Sequence, residues 1–440
     1  MSLKTPEKIR RFQRKLYVKA KEEPEFRFYI LYDKIHREDI LFYAYRLARS
    51  NDGSPGVDGV TFKEIEAAGL EAWLLALQED LRNKTYKPSP VRRVMIPKAG
   101  GGERPLGIPT IRDRVAQTAV KLVIEPIFEA DFVDCAYGYR PQRSAQDAVK
   151  EVHRRLCEGY TEVVDADLSK FFDTIPHSEL MQSVARRIVD RHVLHLIKLW
   201  LKVPVEERDD QGKRRMSGGK KRKEGTPQGG VISPLLANIY MHRFLRAWRE
   251  RGKGETFQGH IVNYADDFVI LTKGHANEAL AWTRWAMENI GLSLNEAKTR
   301  ICHARQEPFD FLGYTFGPER HRRDGHWYLS AKPSKKSVQR LKEGIREHLR
   351  RGIIAPWPEV TLRLNRSLRG WAAYFSYGTR YMAYRAIDNY VLHAVQDFLQ
   401  RRHKVPSRGT RRFTDDRIFG ELGVQRLRPL HIGAPPTAST

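Results

Sequence analysis

The sequence is poor in cysteine. Its 440 residues contain only three, Cys135, Cys157 and Cys302, and they are widely spaced. Isolated thiols cannot form the paired-cysteine motifs that hold structural zinc. Such a low content is typical of proteins from a reducing compartment, where disulfides are rare. We therefore expect three buried thiols without a chemical role.

Long hydrophobic runs are also absent. No stretch approaches the roughly 18 uninterrupted apolar residues of a membrane-spanning helix, so the sequence predicts no membrane partner. The N-terminus has the pattern of a charged helix and not that of a signal peptide. Thr5-Pro6 predicts the start of this helix, with Thr5 as its N-cap.

Acidic residues are too few to balance the basic ones. The chain has 78 Lys and Arg against 53 Asp and Glu, a net charge of +25, which implies a polyanionic partner such as nucleic acid. Residues 317–440 hold 25 of the basic residues and only 10 acids, and Lys213–Lys223 holds seven basic residues and no acid. A single surface cation is usually just solvated, but this concentration predicts contact with phosphate backbones.

Two acids stand side by side in the segment Tyr264–Asp267, which reads Tyr-Ala-Asp-Asp. Apolar residues precede and follow it, which predicts two β-strands joined by a turn that carries both carboxylates. Another apolar strand ends at Asp167, whose carboxylate would join them if the strands share a sheet. An isolated acidic pair is more often a solvated turn. The combination favours a magnesium site, since Mg²⁺ prefers carboxylate oxygens and nucleotidyl transfer commonly uses two such ions about 4 Å apart.

Two motifs then make the sequence recognisable. Tyr264–Asp267 resembles the YADD box of reverse transcriptases, and Gly225–Ile239 resembles the preceding box of the group II intron-encoded reverse transcriptase/maturase family. The resemblance continues in register from about Ser54 to about Arg412. It implies an α+β right-hand polymerase, in which fingers and a palm with an antiparallel sheet are followed by an α-helical thumb or maturase domain.

The resemblance also implies a division into regions. These are the N-terminal helices and fingers extension at 1–90, the fingers and palm at 91–316, the helical thumb at 326–402, and a basic C-terminal segment with a disordered end at 403–440. We expect a β-hairpin over Val91–Pro109. We also expect a polar linker at 317–325 that marks a domain boundary, and three amphipathic helices in the thumb.

The activity implied by the resemblance is RNA-directed DNA synthesis. Such a protein also binds group II intron RNA, assisting splicing and intron mobility by target-primed reverse transcription. Its expected partners are the intron RNA, a DNA target and primer, and dNTPs, in the cytoplasm of a prokaryotic cell. No cysteine follows Cys302, so we expect a member without the cysteine-containing endonuclease. A splicing-only maturase and a domesticated defence or repair reverse transcriptase remain alternatives.

The resemblance assigns roles at the reaction centre. Asp167 and Asp266 are expected to bind both Mg²⁺ ions directly, and Asp267 to be a more distant ligand. The nucleotide-binding residues that it implies are Lys98, Arg104, Phe172, Gln228 and Lys298. The three cations of this set face the triphosphate, where charge and hydrogen bonding suit phosphate oxygens. Phe172 lies beneath the sugar and excludes a 2′-hydroxyl, although both Phe172 and Phe171 are also candidates for the core.

Further residues are expected to contact nucleic acid. Tyr137–Pro141 resembles a box that positions the template, and the primer-grip strand comprises Phe311, Leu312, Gly313 and Tyr314. The basic clusters supply the expected RNA-binding residues, which are Lys220, Lys221, Arg222, Lys223, Arg401, Arg402, Lys404, Arg411 and Arg412. We expect residues 330–412 to provide most of the intron RNA affinity. The alternative is that Lys213–Lys223 and the N-terminal helix dominate.

Overall fold

The computed structural model describes residues 3–97, 102–208, 213–219, 221–321, 324–405 and 410–428. The chain folds into two compact units. The first unit consists of Met1–Ser144 with Val164–Ile301, and the second of Ala145–Val163 with Cys302–Thr440. Both units combine helices with sheets, which agrees with the predicted α+β class.

The helices are α1 Glu7–Glu22, α2 Tyr32–Ile35, α3 Glu38–Asn51, α4 Phe62–Arg82, α5 Ile111–Glu129, α6 Ala145–Cys157, α7 Phe171–Thr174, α8 His177–Ala185, α9 Arg191–Leu201, α10 Ser233–Glu250, α11 Lys253–Thr256, α12 Ala276–Glu288, α13 Lys335–His348, α14 Trp357–Tyr374 and α15 Tyr381–Arg402. A single π-helical turn follows at Arg417–Glu421. Within the described ranges, no helix combines the length and hydrophobicity that a bilayer crossing requires.

The strands are β1 Val91–Pro97, β2 Glu103–Ile108, β3 Glu162–Asp167, β4 Pro204–Arg208, β5 Arg214–Gly218, β6 Gly259–Tyr264, β7 Asp267–Thr272, β8 Arg300–His303, β9 Phe309–Phe311, β10 Tyr314–Arg320 and β11 Trp327–Pro333. Their orders in the sheets are β2-β1-β4-β5, β6-β7-β3-β8 and β11-β10-β9.

Helix α5 is a central element of the first unit. It packs against α1, α3 and α10, and buried side chains cover most of its circumference. A helix that is hydrophobic on nearly every side belongs inside a core. Its first turn also buries Asp113, whose carboxylate accepts hydrogen bonds from the Tyr86 hydroxyl at 2.6 Å and the Ser89 amide at 3.0 Å. These bonds compensate the cost of removing a charge from water.

The hairpin predicted over Val91–Pro109 is confirmed. Strands β1 and β2 pair antiparallel, with Arg92 opposite Ile108 and Pro97 opposite Glu103. Strand β1 also pairs in parallel with β4, and this pairing extends the hairpin into a four-stranded sheet. Lys98 lies outside the described residues.

The second unit contains the three predicted thumb helices as α13, α14 and α15. Their apolar stripes meet in one buried cluster that includes Ile345, Leu364, Leu368, Val391 and Val395. In the same unit, α6 packs against β11. The helical periodicity of the sequence therefore identified α13, α14 and α15 correctly.

The prediction of a polar linker at 317–325 is wrong. Residues up to Arg320 complete strand β10, which pairs with β11 until Arg320 stands opposite Trp327. Phe316 on β10 and Ala331 on β11 are fully buried, because one face of this hairpin packs inward. The exposed Arg320 lies at the end of this hairpin, where its side chain reaches water while its backbone stays paired.

Two local predictions are also wrong. Helix α1 begins after Pro6 and has no side-chain cap, since the Thr5 hydroxyl lies 3.1 Å from the Tyr43 hydroxyl and is used in that tertiary hydrogen bond. Cys157 is exposed and Cys135 is partly exposed, so only Cys302 is a buried thiol. Cys157 is the last residue of α6, at a helix end where the side chain can reach solvent.

The segment that follows α15 returns to the helical core of its unit. Phe413, Ile418 and Val424 are buried in the cluster formed by α13, α14 and α15. The periodicity of the sequence gave no sign of this packing, since the three residues belong to no long amphipathic helix. The end at 435–440, predicted to be disordered, lies outside the described residues.

Asp388 on α15 fastens this returning segment. Its side chain is almost fully buried, and its carboxylate accepts the Leu427 amide at 2.9 Å and the Arg428 amide at 3.1 Å. The Arg428 guanidinium also donates to it at 2.9 Å. One buried carboxylate thus satisfies three donors of the C-terminal segment.

We expect Asp388→Ala to destabilise the second unit by about 3 kcal/mol, because it removes one member of a buried ion pair and leaves buried amides without an acceptor. Differential scanning calorimetry and limited proteolysis after residue 405 measure the loss. Asp397→Ala is the matched control on the same helix, since Asp397 is exposed; its effect should stay within about 0.5 kcal/mol. Equal effects of the two substitutions would contradict the role of Asp388.

Candidate active site

The acidic pair lies at the tip of a two-stranded hairpin, as predicted. Strands β6 and β7 pair from Gly259 opposite Thr272 to Tyr264 opposite Asp267. Ala265 and Asp266 are left as a two-residue loop. Ala265 has a φ of 60°, and a positive φ at the first loop position is the geometry of a type II′ turn, which matches the twist of antiparallel strands.

The segment Tyr137–Pro141 supports this turn from the side. The Tyr137 amide donates to the Asn263 carbonyl at 2.8 Å, and the Asn263 side-chain amide donates to the Ala265 carbonyl at 2.9 Å. The approach is so close that a Cβ on Gly138 would lie 2.4 Å from the Ala265 nitrogen. Glycine is therefore required at this position by the backbone of the acidic turn.

Asp167 belongs to the neighbouring strand, since β3 lies beside β7 in the sheet. Its carboxylate accepts hydrogen bonds from Lys298 Nζ at 2.8 Å and from Asn295 Nδ2 at 3.2 Å. The Asn295 amide also donates to the Asp167 carbonyl at 2.8 Å. Asp167 is thus held in place by the segment that follows α12, and Lys298 lies on its carboxylate.

The three carboxylates affect one another electrostatically. Asp267 reaches solvent, yet desolvation by the surrounding protein and the charges of Asp266 and Asp167 raise its pKa to about 6. Desolvation, together with the charge of Asp167, also raises the pKa of Asp266. The hydrogen bond to Asp167 raises the pKa of Lys298. The site therefore holds more negative charge than the protein itself neutralises.

This donor set fits hard divalent cations. Carboxylate oxygens are the ligands that Mg²⁺ prefers, and a cation at this point would relieve the repulsion that raises the pKa values. The oxygens of the three aspartates do not all lie within 4.8 Å of one another.

Two predicted nucleotide-binding residues contact each other. Arg104 Nε donates to Gln228 Oε1 at 3.2 Å, and Gln228 Nε2 donates to Asp173 Oδ2 at 3.1 Å. The backbones also meet, because the Gly107 amide donates to the Gln228 carbonyl at 2.6 Å. The β1–β2 sheet and the Gln228 box are therefore joined directly, and the amide of Gln228 has a fixed orientation.

Both adjacent phenylalanines are buried. Phe171 is 2% exposed and Phe172 is 8% exposed. Phe172 contacts the Tyr139 ring edge-on at a centroid distance of 6.4 Å, and Tyr139 lies 6.4 Å from the ring of Tyr264. Phe172 therefore faces the aromatic cluster around the acidic turn while also packing into the core.

The predicted primer-grip residues lie in the second unit and form a tight hairpin, not the single strand expected. Phe311 ends β9 and Tyr314 opens β10, while Leu312 and Gly313 between them have φ values of 48° and 79°. The Tyr314 hydroxyl donates to the Tyr374 carbonyl at 2.9 Å, and the Tyr374 hydroxyl donates to the Leu312 carbonyl at 2.8 Å. These reciprocal bonds fasten the turn to α14.

The predicted RNA-binding residues of the second unit are exposed, namely Arg401, Arg402, Lys404, Arg411 and Arg412. Two of them also serve the fold, since Arg401 donates to the Leu349 carbonyl at 3.4 Å and Arg402 to the Ala355 carbonyl at 2.8 Å. In the first unit, Lys221 and Lys223 are exposed and Arg222 is half-buried. Lys220 lies outside the described residues.

Sequence reasoning missed two polar residues of the site. Asp173 orients Gln228, and Asn295 holds Asp167. Asp173 stands six positions after Asp167 in the same acidic run, so its position could have suggested a place in the site. The sequence around Asn295 gives no such indication, because its role depends on a contact across 128 residues of chain.

We expect Gly138→Ala to destabilise the protein by about 1–3 kcal/mol, because the new Cβ overlaps the backbone of the acidic turn. Calorimetry should show a melting temperature lower by roughly 2–4 °C per kcal/mol. Gly344→Ala is the matched control, since nothing lies within 4 Å of a Cβ added in α13; this helix should become slightly more stable. An unchanged melting temperature in Gly138→Ala would contradict the close approach.

Comparison with known proteins identifies the family. The reverse transcriptase (RNA-dependent DNA polymerase) family model matches residues 96–316. The group II intron, maturase-specific domain model matches residues 338–414. The acidic site lies within the first match, and the three thumb helices lie largely within the second.

Relatives agree with these matches. Protein YkfC of Escherichia coli is 36% identical over 366 residues, which cover 75% of this chain and 93% of YkfC. The group II intron-encoded protein LtrA of Lactococcus lactis is 31% identical over 371 residues, which cover 70% of this chain but 59% of LtrA. A solved structure of telomerase from Candida albicans overlaps with 74% of this chain and 62% of its own, at a TM-score of 0.41 and 13% identity. The two family-model matches and the relatives YkfC and LtrA show that the chain belongs to the group II intron reverse transcriptase/maturase family, whose catalytic domain is an RNA-dependent DNA polymerase.

Proposed function

We propose that this chain copies RNA into DNA at Asp167, Asp266 and Asp267, with two Mg²⁺ ions, and that it binds group II intron RNA to assist splicing and mobility. Reverse transcriptases work with divalent metal ions. The observation that carries the proposal is the gathering of three mutually repelling carboxylates on adjacent strands. A chain with a net charge of +25 could have paired them with its own cations, but it leaves most of their charge unmatched.

The aspartates would hold the metal ions. Asp167 and Asp266 are the direct ligands, and Asp267 completes the set from the first position of β7. When bound there, two Mg²⁺ ions would lower the pKa of the primer 3′-hydroxyl and stabilise the leaving pyrophosphate. Lys298, whose amine already lies 2.8 Å from the Asp167 carboxylate, can turn to a phosphate oxygen of the dNTP.

The nucleotide is positioned by the residues beside the metal site. Arg104 has the fork of donors that suits phosphate oxygens, and its hydrogen bond to Gln228 supports its assignment to the nucleotide pocket. Lys98 is the other proposed triphosphate contact from this hairpin. Gln228, fixed between Arg104 and Asp173, lines the pocket with an oriented amide.

Phe172 is the proposed selector of deoxyribonucleotides. Its ring faces the aromatic cluster of Tyr139 and Tyr264 and is packed from behind. A rigid ring beneath the sugar leaves no room for a 2′-hydroxyl. The neighbouring Phe171 is the more deeply buried of the two and is proposed to serve the core alone.

The second unit is the proposed maturase part. Its basic residues Arg401, Arg402, Lys404, Arg411 and Arg412 are exposed, whereas the apolar faces of its helices are occupied by packing. The primer grip at Phe311–Tyr314 belongs to the same unit. Exposed cations on such a surface are suited to RNA phosphates. The chain spans only 59% of LtrA, so intron splicing, DNA target recognition and a prokaryotic cytoplasmic location belong to the proposal. A splicing-only role is less favoured, because it would not need the acidic cluster.

We expect Asp266→Asn to reduce primer extension on poly(rA)/oligo(dT) by at least about 10³-fold, because several kcal/mol of transition-state stabilisation depend on the metal ligands. RNA affinity, measured by filter binding, should stay within about twofold, and the melting temperature should not fall, since one of the clustered charges is removed. Asp33→Asn, an exposed position on α2, is the control. Wild-type extension by Asp266→Asn would reject the metal assignment.

We expect Phe172→Ala to admit ribonucleotides, raising the ratio of kcat/KM for rNTPs over dNTPs by roughly tenfold or more, since space opens beneath the sugar. Phe171→Ala controls for lost core packing, which costs about 3–5 kcal/mol at either position. Phe172→Val, which retains more of the packed volume, covers the case of an unstable alanine variant. If Phe171→Ala admitted ribonucleotides and Phe172→Ala did not, the role of excluding the 2′-hydroxyl would belong to Phe171.

A further inference from the structure

A pocket rich in basic residues lies in the first unit, and none of the three aspartates lines it. Met181, Leu194 and Leu201 supply apolar parts of its lining. The pocket has a volume of about 660 Å³ and lies between α8, α9 and the segment after β5. Its charged lining consists of Arg191, Lys198, Lys202, Arg222 and Lys223, with His177 and His195 beside them. Among the described residues, no Asp or Glu lines it.

Helix α9 supplies one wall of the pocket. Arg191, His195, Lys198 and, just after the helix, Lys202 recur at intervals of three or four residues, so they share one face. The opposite face carries the apolar residues Val193, Ile197 and Trp200 of the core. At 1.5 Å per residue, the basic face is about 16 Å long.

The cations of this face are not neutralised within the protein. In the described part of the chain, Lys198, Lys202 and Lys223 have no carboxylate at ion-pair distance. A different cavity of about 470 Å³ in the same unit is also rich in arginine, but Asp131 and Glu250 line it. There Asp131 lies 3.2 Å from Arg187 and Glu250 lies 2.5 Å from Arg246. Of these two cavities, the pocket at α9 is the one whose described lining contains no acidic residue.

The far wall of the pocket is connected to the nucleotide site. The His177 ring donates to the Gly225 carbonyl at 2.7 Å through Nε2, and the His177 amide donates to the Lys223 carbonyl at 2.8 Å. Gly225 opens the box that contains Gln228. A Cβ on Gly225 would lie 2.5 Å from Arg222 Nη2, so Arg222 packs directly against this box.

We propose that this pocket, with the basic face of α9, binds the phosphodiester backbone of an RNA strand. This deepens and rests on the proposed function, because it names where the first unit holds RNA. A free phosphate or nucleotide would use only part of a face about 16 Å long. A nucleic-acid strand in a duplex carries one phosphate per roughly 3.4 Å of axis, so several successive phosphates match that length.

Because no Asp or Glu is found among the described residues that line this pocket, a polyanion is favoured over a protein partner. A protein ligand could pack against Met181, Leu194 and Leu201, but among the described residues of the lining no acid is present to pair with the ligand's own cations. Phosphate contacts instead need only cations and hydrogen-bond donors, and they release condensed counterions, which makes binding dependent on salt. The residues proposed to act here are separate from the metal ligands, so RNA affinity and chemistry can be altered independently.

The test is the triple variant Lys198→Gln, Lys202→Gln and Lys223→Gln. We expect the slope of log affinity against log salt for a single-stranded RNA 20-mer to become shallower by about 2, at about 0.7 per lost contact. The control replaces Lys63, Lys87 and Lys150 by Gln, which removes the same charge from three exposed positions elsewhere; its slope should equal that of wild type. The corresponding Lys→Arg triple variant should retain the wild-type slope, and calorimetry checks that each variant is folded.

A footprint on the wild-type chain tests the same sites without substitution. RNA should protect Lys198, Lys202 and Lys223 from acetylation, and inorganic tripolyphosphate at equal phosphate concentration should not. An unchanged slope in the glutamine variant, or protection by tripolyphosphate without protection by RNA, would overturn the proposal. Primer extension by the wild-type chain is measured in parallel. Its absence would count against the proposed function, whereas extension with an unchanged slope would count against this pocket alone.

Discussion

The structure of the first unit depends on holding three carboxylates close together against their mutual repulsion. Desolvation and, after it, the neighbouring like charges raise the pKa of Asp267 to about 6, and a free turn would relax to separate these charges. The backbone prevents this relaxation. Ala265 is fixed in a positive-φ turn, and Gly138 lies so close that no other residue fits without displacement. The site is therefore preorganised to bind cations, which is the condition for electrostatic catalysis.

Other residues of the first unit hold the side chains around the acidic turn in place. Lys298 and Asn295 hold Asp167, while Gln228 is held between Arg104 and Asp173. The Gln228 box is in turn joined through Gly225 to His177 and the basic pocket. Hydrogen bonds thus link the Gln228 box to the wall of the basic pocket. Negative charge is concentrated at the acidic turn, and positive charge is concentrated along α9.

The hydrophobic periodicity of the sequence predicted the elements that bury one face at regular intervals. The acidic hairpin, the β1–β2 hairpin and the three helices of the second unit each bury one face at a regular interval, and the structure confirms all of them. The linker at 317–325 was predicted wrongly because its polar side chains suggested a loop, whereas the backbone of residues 317–320 is paired with β11. The packing of the segment around Ile418 was missed because its buried residues do not recur at a regular interval.

The sequence by itself determined which residues can do chemistry here. The adjacent acids that follow an apolar strand form a local pattern, and so does the glycine-rich box. Both can be recognised without knowledge of the fold. The tertiary structure alone decided the partners: Lys298 meets Asp167 across 131 residues, and Arg104 meets Gln228 across 124. It also brought Lys223 to the basic face of α9. Contacts of this kind depend on how the elements pack, and no local period of the chain encodes that packing.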